Sequence, residues 1–398
     1  MTEILRQKLS DSKAARWTVL CVVAFTMFCG YYITDVMAPL MDMLQVELKW
    51  DANEYGIFTS AYGWFNVMLF MLIISGIILD KLGVRWTGIM SCALMIIGCA
   101  LKYYSVANPD LFTGTVFGIK SQVISASIGF AIFGVGIETA GITVTKVIAR
   151  WFKGHEIALA MGIQVAVARI GTGLAIGTAI PPLAEGLGSL SAPILLGLAF
   201  LCIGTISYLV FCVMDRRLDA SVKDMDEEPE EPFKIKDIFF IIGNKGFWLI
   251  ALLCVLFYSA VFPFLKFATS VMINKYSVEP KLAGLIPLIL PFGTVLLTPL
   301  FGGIYDKKGK GGYNNGNRCN IINYCSFLII AAVQLLVVCS YSYGSTWRCI
   351  LSCPVSHVAF RPPQNHTAKQ TWHSLRSYFL GAKYRAQWSS SVNRLGIE

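Results

Sequence analysis

Long apolar runs separated by short charged connections dominate most of this chain. Runs of spanning length cover roughly residues 17–44, 55–79, 86–106, 122–149, 157–183 and 192–214. About twenty predominantly apolar residues in a helix cross the hydrocarbon core of a bilayer, so these runs predict six transmembrane helices. The pattern then inverts. Residues 215–237 are strongly polar and include Asp224-Met225-Asp226-Glu227-Glu228-Pro229-Glu230-Glu231, which predicts a solvated central loop. Apolar runs resume at about 239–272 and 282–305, and one more, 321–343, is long enough to span. Helix 8 carries Pro287, Pro291 and Pro299. Prolines of this kind mark a bent membrane helix whose freed backbone groups find other partners.

A repeat cuts across this pattern. Gly76-Ile77-Ile78-Leu79-Asp80-Lys81-Leu82-Gly83-Val84-Arg85 returns 226 residues later as Gly302-Gly303-Ile304-Tyr305-Asp306-Lys307-Lys308-Gly309-Lys310. Each copy sits where an apolar run ends, so the chain reads as two copies of one membrane bundle. Glycine lets a helix end, turn tightly and pack closely on a neighbour. The carboxylate can face helix N-termini and basic side chains at the membrane surface. This pattern resembles the loop between helices 2 and 3 of major facilitator superfamily transporters, with its echo between helices 8 and 9. The resemblance implies an all-α polytopic membrane protein of the major facilitator fold, built of two six-helix bundles. Gly76, Asp80, Lys81, Gly83 and Arg85, with Gly302, Asp306, Lys307 and Gly309, would then form gating loops and not a substrate site.

Composition agrees. A mean hydropathy of +0.61 with 14% charged residues describes a membrane protein and not a soluble enzyme. The formal charge of +9 suggests a nucleic-acid partner until it is located along the chain. Residues 1–310 hold 25 Lys and Arg against 23 Asp and Glu, whereas residues 311–398 hold 8 against Glu398 alone. No nucleic-acid partner is expected; the partners are lipid and a small-molecule substrate, and the chain is expected to be a monomer. The twelve cysteines show no disulfide spacing, and His155 is the only histidine before His357, so neither a metal site nor a cofactor is expected. Arg6, Lys8, Lys13, Arg16, Lys81, Arg85, Arg150 and Lys153 cluster on one side, against Lys49, Lys102 and Lys120 on the other. That asymmetry predicts a cytoplasmic N-terminus and central loop. The first apolar run is too long for a cleaved signal. These features lean toward a bacterial inner membrane.

Among the few charges inside the apolar runs, three stand out. Glu138 lies in helix 4 within Gly134-Val135-Gly136-Ile137-Glu138, and Arg169 lies in helix 5 within Ala166-Val167-Ala168-Arg169. A charge near the bilayer centre must face the bundle interior, a cavity or a partner. Spacing places Gly134, Glu138 and Gly141 on one helical face, and Gly162, Ala166, Arg169 and Gly173 on another. Small residues there allow close packing or leave room for a ligand. Two readings stay open: an ion pair tying helix 4 to helix 5, or a zwitterion site. In the second, Arg169 clamps a carboxylate bidentately and Glu138 accepts an ammonium. Asp35 is the third of these charges, either a proton or amine site or simply the outer end of helix 1. Lys266 is expected to snorkel to the outer interface. Tyr62, Trp64 and Asn66 on helix 2 are candidates for lining the cavity, or for packing.

Several further segments are similar to one branch of the superfamily, the one that contains the lysosomal dipeptide uniporter. They are Tyr62-Gly63-Trp64-Phe65-Asn66, Asp80–Trp86, Trp151-Phe152-Lys153-Gly154-His155-Glu156, Gly162-Ile163-Gln164, Ala168-Arg169-Ile170-Gly171 and Ala260–Phe264, with Asp35 and Ala38-Pro39 in helix 1. The resemblance covers roughly residues 17–310. It implies that Glu138 and Arg169 hold the two ends of a dipeptide, and that the chain transports small zwitterionic solutes by alternating access. The alternatives are another organic anion or proton-coupled metabolite as cargo, or a non-transporting scaffold or inactive truncated product.

The character changes after Lys310. Residues 1–214 form the expected N-terminal bundle, 215–237 the central loop, 238–310 the first helices of a second bundle, and 311–398 an anomalous tail. Three helices are still owed, yet residues 344–398 contain no spanning run. Read from the second nucleotide of each codon, Gly312–Tyr324 can encode an apolar helix 9. Pro363–Ile397 can encode a segment that resembles the family's helix 10–11 connection and helix 11. Trp372 and Trp388, with a single codon each, force glycines in that frame. A frame change near codons 310–312 is the expectation, and a chain read as written would lack half of its second bundle. An independent clone sequenced across codons 300–325 is expected to show one base gained or lost; an unaltered frame would leave either a truncated pseudogene product or a genuine divergent tail.

Overall fold

The structure is a computed structural model that describes residues 9–309 apart from 117, 178–179, 224–242, 244, 277–278 and 280–282. The expected helix at 321–343 and the tail from residue 311 lie outside the described residues. A 3-10 turn, Leu9–Asp11, leads into α1 (Lys13–Asp35), α2 (Met41–Glu47), α3 (Ala52–Ala61), α4 (Trp64–Met68) and α5 (Met71–Ala107). A hairpin of Thr115–Val116 and Ile119–Lys120 precedes α6 (Ser121–Trp151), α7 (Ile157–Ile176), α8 (Ile180–Gly186) and α9 (Ala192–Lys223). Two helices of the second half follow, α10 (Lys245–Tyr276) and α11 (Leu285–Gly309).

The spans expected within the described residues are present, with informative differences at their ends. Ser12 starts α1 by accepting from the Ala15 amide. The first span stops at Asp35, not near residue 44, because Pro39 offers no amide to continue the ladder, and α2 resumes as a separate helix. The second span is not continuous either. It starts at an Asp51–Glu54 capping box, breaks after Ala61, and breaks again at Phe70, which sits at φ 49° and ψ 33°. Such a left-handed conformation is uncommon for a bulky residue. Gly83 (φ 77°, ψ 174°) divides α5 into the end of this second span and the whole of the third. The sixth span runs on to Lys223, so Asp215 and Asp219 belong to a helix and not to a solvated loop.

Among the described residues, five helices are long and apolar enough to cross a membrane. Their large apolar side chains face outward as well as inward: Trp86, Ile97 and Ile206 are exposed, as expected of surfaces meeting lipid. Glycines set the helix spacing. A Cβ on Gly98 of α5 would lie 2.8 Å from the Cα of Phe133, and one on Gly136 of α6 would lie 2.8 Å from the Ser91 carbonyl. The two halves meet where α7 packs along α11. There a Cβ on Gly162 would fall 2.8 Å from the Thr298 carbonyl, and one on Gly302 would fall 2.5 Å from that of Ala158. Contacts this close between backbones are how membrane helices associate when apolar burial gives no preference for protein over lipid. Within the first half, Phe58, Phe130 and Phe133 form an internal stack, with centroids 4.9 and 6.0 Å apart.

Replacing Gly98 by Val should force α5 away from α6. Overpacking of this kind destabilises by about 1–3 kcal/mol. The purified variant is expected to melt several degrees below the parent in detergent, read by loss of the monodisperse peak after heating.

Candidate functional site

Tyr62 occupies the break between α3 and α4, and its hydroxyl donates to Glu138 Oε1 at 2.6 Å. Sequence explains the approach. Gly134, one turn before Glu138, leaves α6 bare where the Tyr62 carbonyl rests, and a side chain there would collide with it. Arg169 of α7 is 8% exposed, and its guanidinium carbon lies 5.6 Å from the centroid of the Tyr31 ring. Tyr31 of α1 stands among the charges of Arg169, Glu138 and Asp35, all near enough to act on its phenol. The structure therefore brings Glu138, Arg169 and Tyr62 together around Tyr31, a residue the sequence reading did not single out. Asn66, one turn past Tyr62, is 2% exposed, and neither its Oδ1 nor its Nδ2 has a partner. Trp64 donates to Ser60 within its own segment.

Asp35 lies at a second cluster. It is 4% exposed, and its carboxylate receives the Lys266 ammonium at 2.6 Å. Lys266 also donates to the Thr34 carbonyl at 2.5 Å. Lys266 thus turns inward across the two halves and does not snorkel to the interface. Lys102 requires a larger correction. Counted from sequence among the outer-loop cations, it is fully buried, donates to the Ile33 carbonyl at 3.1 Å, and sits 5.0 Å over the Phe130 ring. The last carbonyls of a helix carry a partial negative charge and lack partners within the helix. Two lysines, one from each half, meet that end of α1. A lysine near the edge of an apolar run gives no sequence sign of which way it points, so the signal was missed.

The two copies of the repeated Gly-x-x-x-Asp-Lys-x-Gly motif hold charge networks. Asp80 pairs with Lys146 at 3.1 Å. Arg85 pairs with Asp219 at 2.6 Å and lies 3.6 Å from Asp215. Arg150 bonds both of these acids, and the Trp151 indole donates to Asp215 at 3.2 Å. Gly76 is buried, Gly83 makes the left-handed turn, and Lys81 is exposed. In the second copy, Gly302 permits the contact with α7 and Asp306 completes it. The Asp306 carboxylate, 6% exposed, accepts from the amides of Ala158 (3.4 Å) and Leu159 (2.8 Å). It caps the N-terminus of a helix in the other half, where Glu156 makes no side-chain cap. Gly309 closes α11, and the Lys307 side chain lies outside the described ones.

The sequence model of the Major Facilitator Superfamily matches residues 20–374. The lysosomal dipeptide transporter MFSD1 of Mus musculus is 25% identical over 358 residues, covering 87% of this chain and 71% of that protein. MFSD1 of Bos taurus is 24% identical, covering 75% of this chain and 62% of its own length. MFSD1 of Homo sapiens is 25% identical with the same coverage, 75% and 62%. The chain thus spans 62–71% of the length of these relatives. The xylose transporter XylE from E. coli, in a partially occluded inward-open conformation, superposes with a TM-score of 0.56 at 14% identity, covering 97% of this chain and 98% of that one. The proton:xylose symporter XylE bound to 6-bromo-6-deoxy-D-glucose gives 0.57 at 15% identity, covering 96% and 89%. At such identity the likeness speaks for the fold.

Breaking one partner of a buried ion pair costs about 3–5 kcal/mol because the other charge is left uncompensated. Lys266→Ala and Asp35→Ala are therefore each expected to lower the melting temperature of the purified chain. The double variant should fall by less than the sum of the two. Strict additivity would show that Asp35 and Lys266 do not interact.

Proposed function

The chain belongs to the major facilitator superfamily, a family of membrane transporters, and from that premise we propose that it carries small zwitterionic peptides, dipeptides, by alternating access. The observation that carries this reading is the cluster around Tyr31, where buried Arg169 and partly buried Glu138, of opposite charge, sit on membrane-spanning helices of one bundle. Tyr62 holds the Glu138 carboxylate from one side, which orients it to receive an ammonium. The Tyr31 ring supports the Arg169 guanidinium, whose planar fork matches a carboxylate in two parallel hydrogen bonds. Transport requires no covalent step, only a site exposed in turn to either side of the membrane.

The contacts between the halves suit the second requirement. At one end Lys266 closes on Asp35 and the end of α1; at the other Asp306 closes on the start of α7. Each is a charge-assisted contact that rigid-body rocking can make and break. The MFSD1 relatives, named as lysosomal dipeptide transporters, support the choice of cargo.

Losing a charge-assisted contact of roughly 1.5–3 kcal/mol corresponds to about tenfold or more in affinity. Binding of a labelled dipeptide to the purified full-length chain is expected to weaken by at least that factor in Glu138→Gln and in Arg169→Lys. Uptake by proteoliposomes holding the frame-restored sequence should fall in parallel. Unchanged binding in both variants would sink the zwitterion reading. Binding of simple organic anions that needs Arg169 but not Glu138 would replace it with an anion site.

A further inference from the structure

Among the described residues, Asn66 is the one side chain with both of its polar atoms buried and unpartnered. The other orphaned atoms belong to single hydroxyls or to one atom of a larger group. A hydroxyl can turn toward a carbonyl of its own helix. A primary amide presents two donors and an acceptor, and one such turn cannot satisfy all of them. At membrane depth this arrangement suits a group that is completed by something else.

Its position says what that something meets. Two contacts bracket it along the junction of the broken second span with α6. The Tyr62 carbonyl rests on Gly134, and further on Ser75 receives the Thr139 hydroxyl at 2.8 Å. Asn66 lies between Tyr62 and Ser75 in sequence, as Glu138 lies between Gly134 and Thr139. The backbone of Tyr62 and Gly63 is right-handed, so Asn66 follows Tyr62 by about one turn on a shared face, and α4 packs on α6. The unsatisfied amide therefore belongs to the same level of the bundle as the Glu138 carboxylate.

We propose that Asn66 reads the first residue of a bound dipeptide. Its Oδ1 accepts an ammonium N–H beside Glu138, and its Nδ2 donates to the peptide carbonyl of the same residue. This rests on the zwitterion reading and deepens it. The charged groups measure the separation of amine and carboxylate, while Asn66 tells a peptide from an ω-amino acid of equal length. A site built to hydrogen-bond a substrate group rejects analogues that lack it far more strongly than an apolar pocket does.

The probes are glycylglycine and 5-aminopentanoate, which place ammonium and carboxylate the same number of atoms apart but differ in the amide. Calorimetric titration of the purified full-length chain is expected to favour glycylglycine at least tenfold. In Asn66→Leu the ratio should fall toward one, and the unliganded variant should melt at the parent temperature or above it. A ratio that survives Asn66→Leu overturns the assignment and leaves the zwitterion reading standing. A drop of several degrees in the unliganded melting temperature also overturns it, because the amide would then be structural. Binding of neither probe overturns both readings. Binding of both probes without regard to Glu138→Gln or Arg169→Gln removes the clamp, and the ratio in Asn66→Leu still decides the role of Asn66.

Discussion

A charge inside a membrane has to be matched, and the end of α1 is where this chain meets that requirement from both of its halves. The helix cannot continue through Pro39, so its last carbonyls and Asp35 concentrate negative charge at a place far from bulk water. Lys102 answers from within the same bundle and Lys266 from the other. Both ammonium groups also sit over the Phe130 ring, at 5.0 and 5.9 Å, where the aromatic face attracts their charge. The difference between the two lysines matters. Lys102 stays with α1 in any rigid-body motion of the halves, whereas Lys266 moves with its own helix. One half of the match is structural and the other is a contact that motion can break.

Backbone proximity makes the rest of the arrangement possible. Gly134 lets the Tyr62 carbonyl touch α6, and the same closeness delivers the Tyr62 hydroxyl to Glu138. Gly171 does the equivalent on α7: a Cβ there would lie 3.2 Å from the Tyr32 amide, so α7 runs against α1 and its Arg169 reaches the Tyr31 ring. Breaks serve the same end as glycines. A continuous second span would direct Tyr62 and Asn66 along the axis of α5, whereas the interruption at Phe70 allows the segment that carries them its own orientation.

The larger organisation was legible from sequence because it depends on quantities that sequence carries directly. Run length and hydropathy locate the spans. The repeated Gly-x-x-x-Asp-Lys-x-Gly pattern marks the two-bundle plan, and Glu138 and Arg169 stand out because charges are rare in such runs. What escaped was direction. Lys102 and Lys266 both read as interfacial cations, since a lysine near the end of an apolar run is usually one. Their partners are backbone carbonyls at a helix end and a carboxylate brought close only by the tertiary fold. Asp215 escaped for a related reason. It opens a polar stretch, so composition assigned it to the loop, yet Arg85, Arg150 and the Trp151 indole hold it inside the last turns of α9.

The division of labour between the halves has a thermodynamic consequence. In the proposed reading Glu138, Arg169, Tyr62 and Asn66 all belong to the first bundle. A ligand held by that bundle alone binds equally well whether the halves are closed or apart, and a ligand without preference shifts no equilibrium. In this reading, coupling of occupancy to closure therefore needs the cargo to bias at least one contact between the bundles. Lys266 is the second-bundle cation that the structure places against Asp35, and Asp35 in turn acts on the same Tyr31 that supports Arg169. Cargo charge entering beside Tyr31 must alter the field at Asp35, and so the hold of Asp35 on Lys266. If the clamp reading holds, the coupling between occupancy and closure would be electrostatic before it is steric, running from Arg169 and Glu138 through Tyr31 to the end of α1.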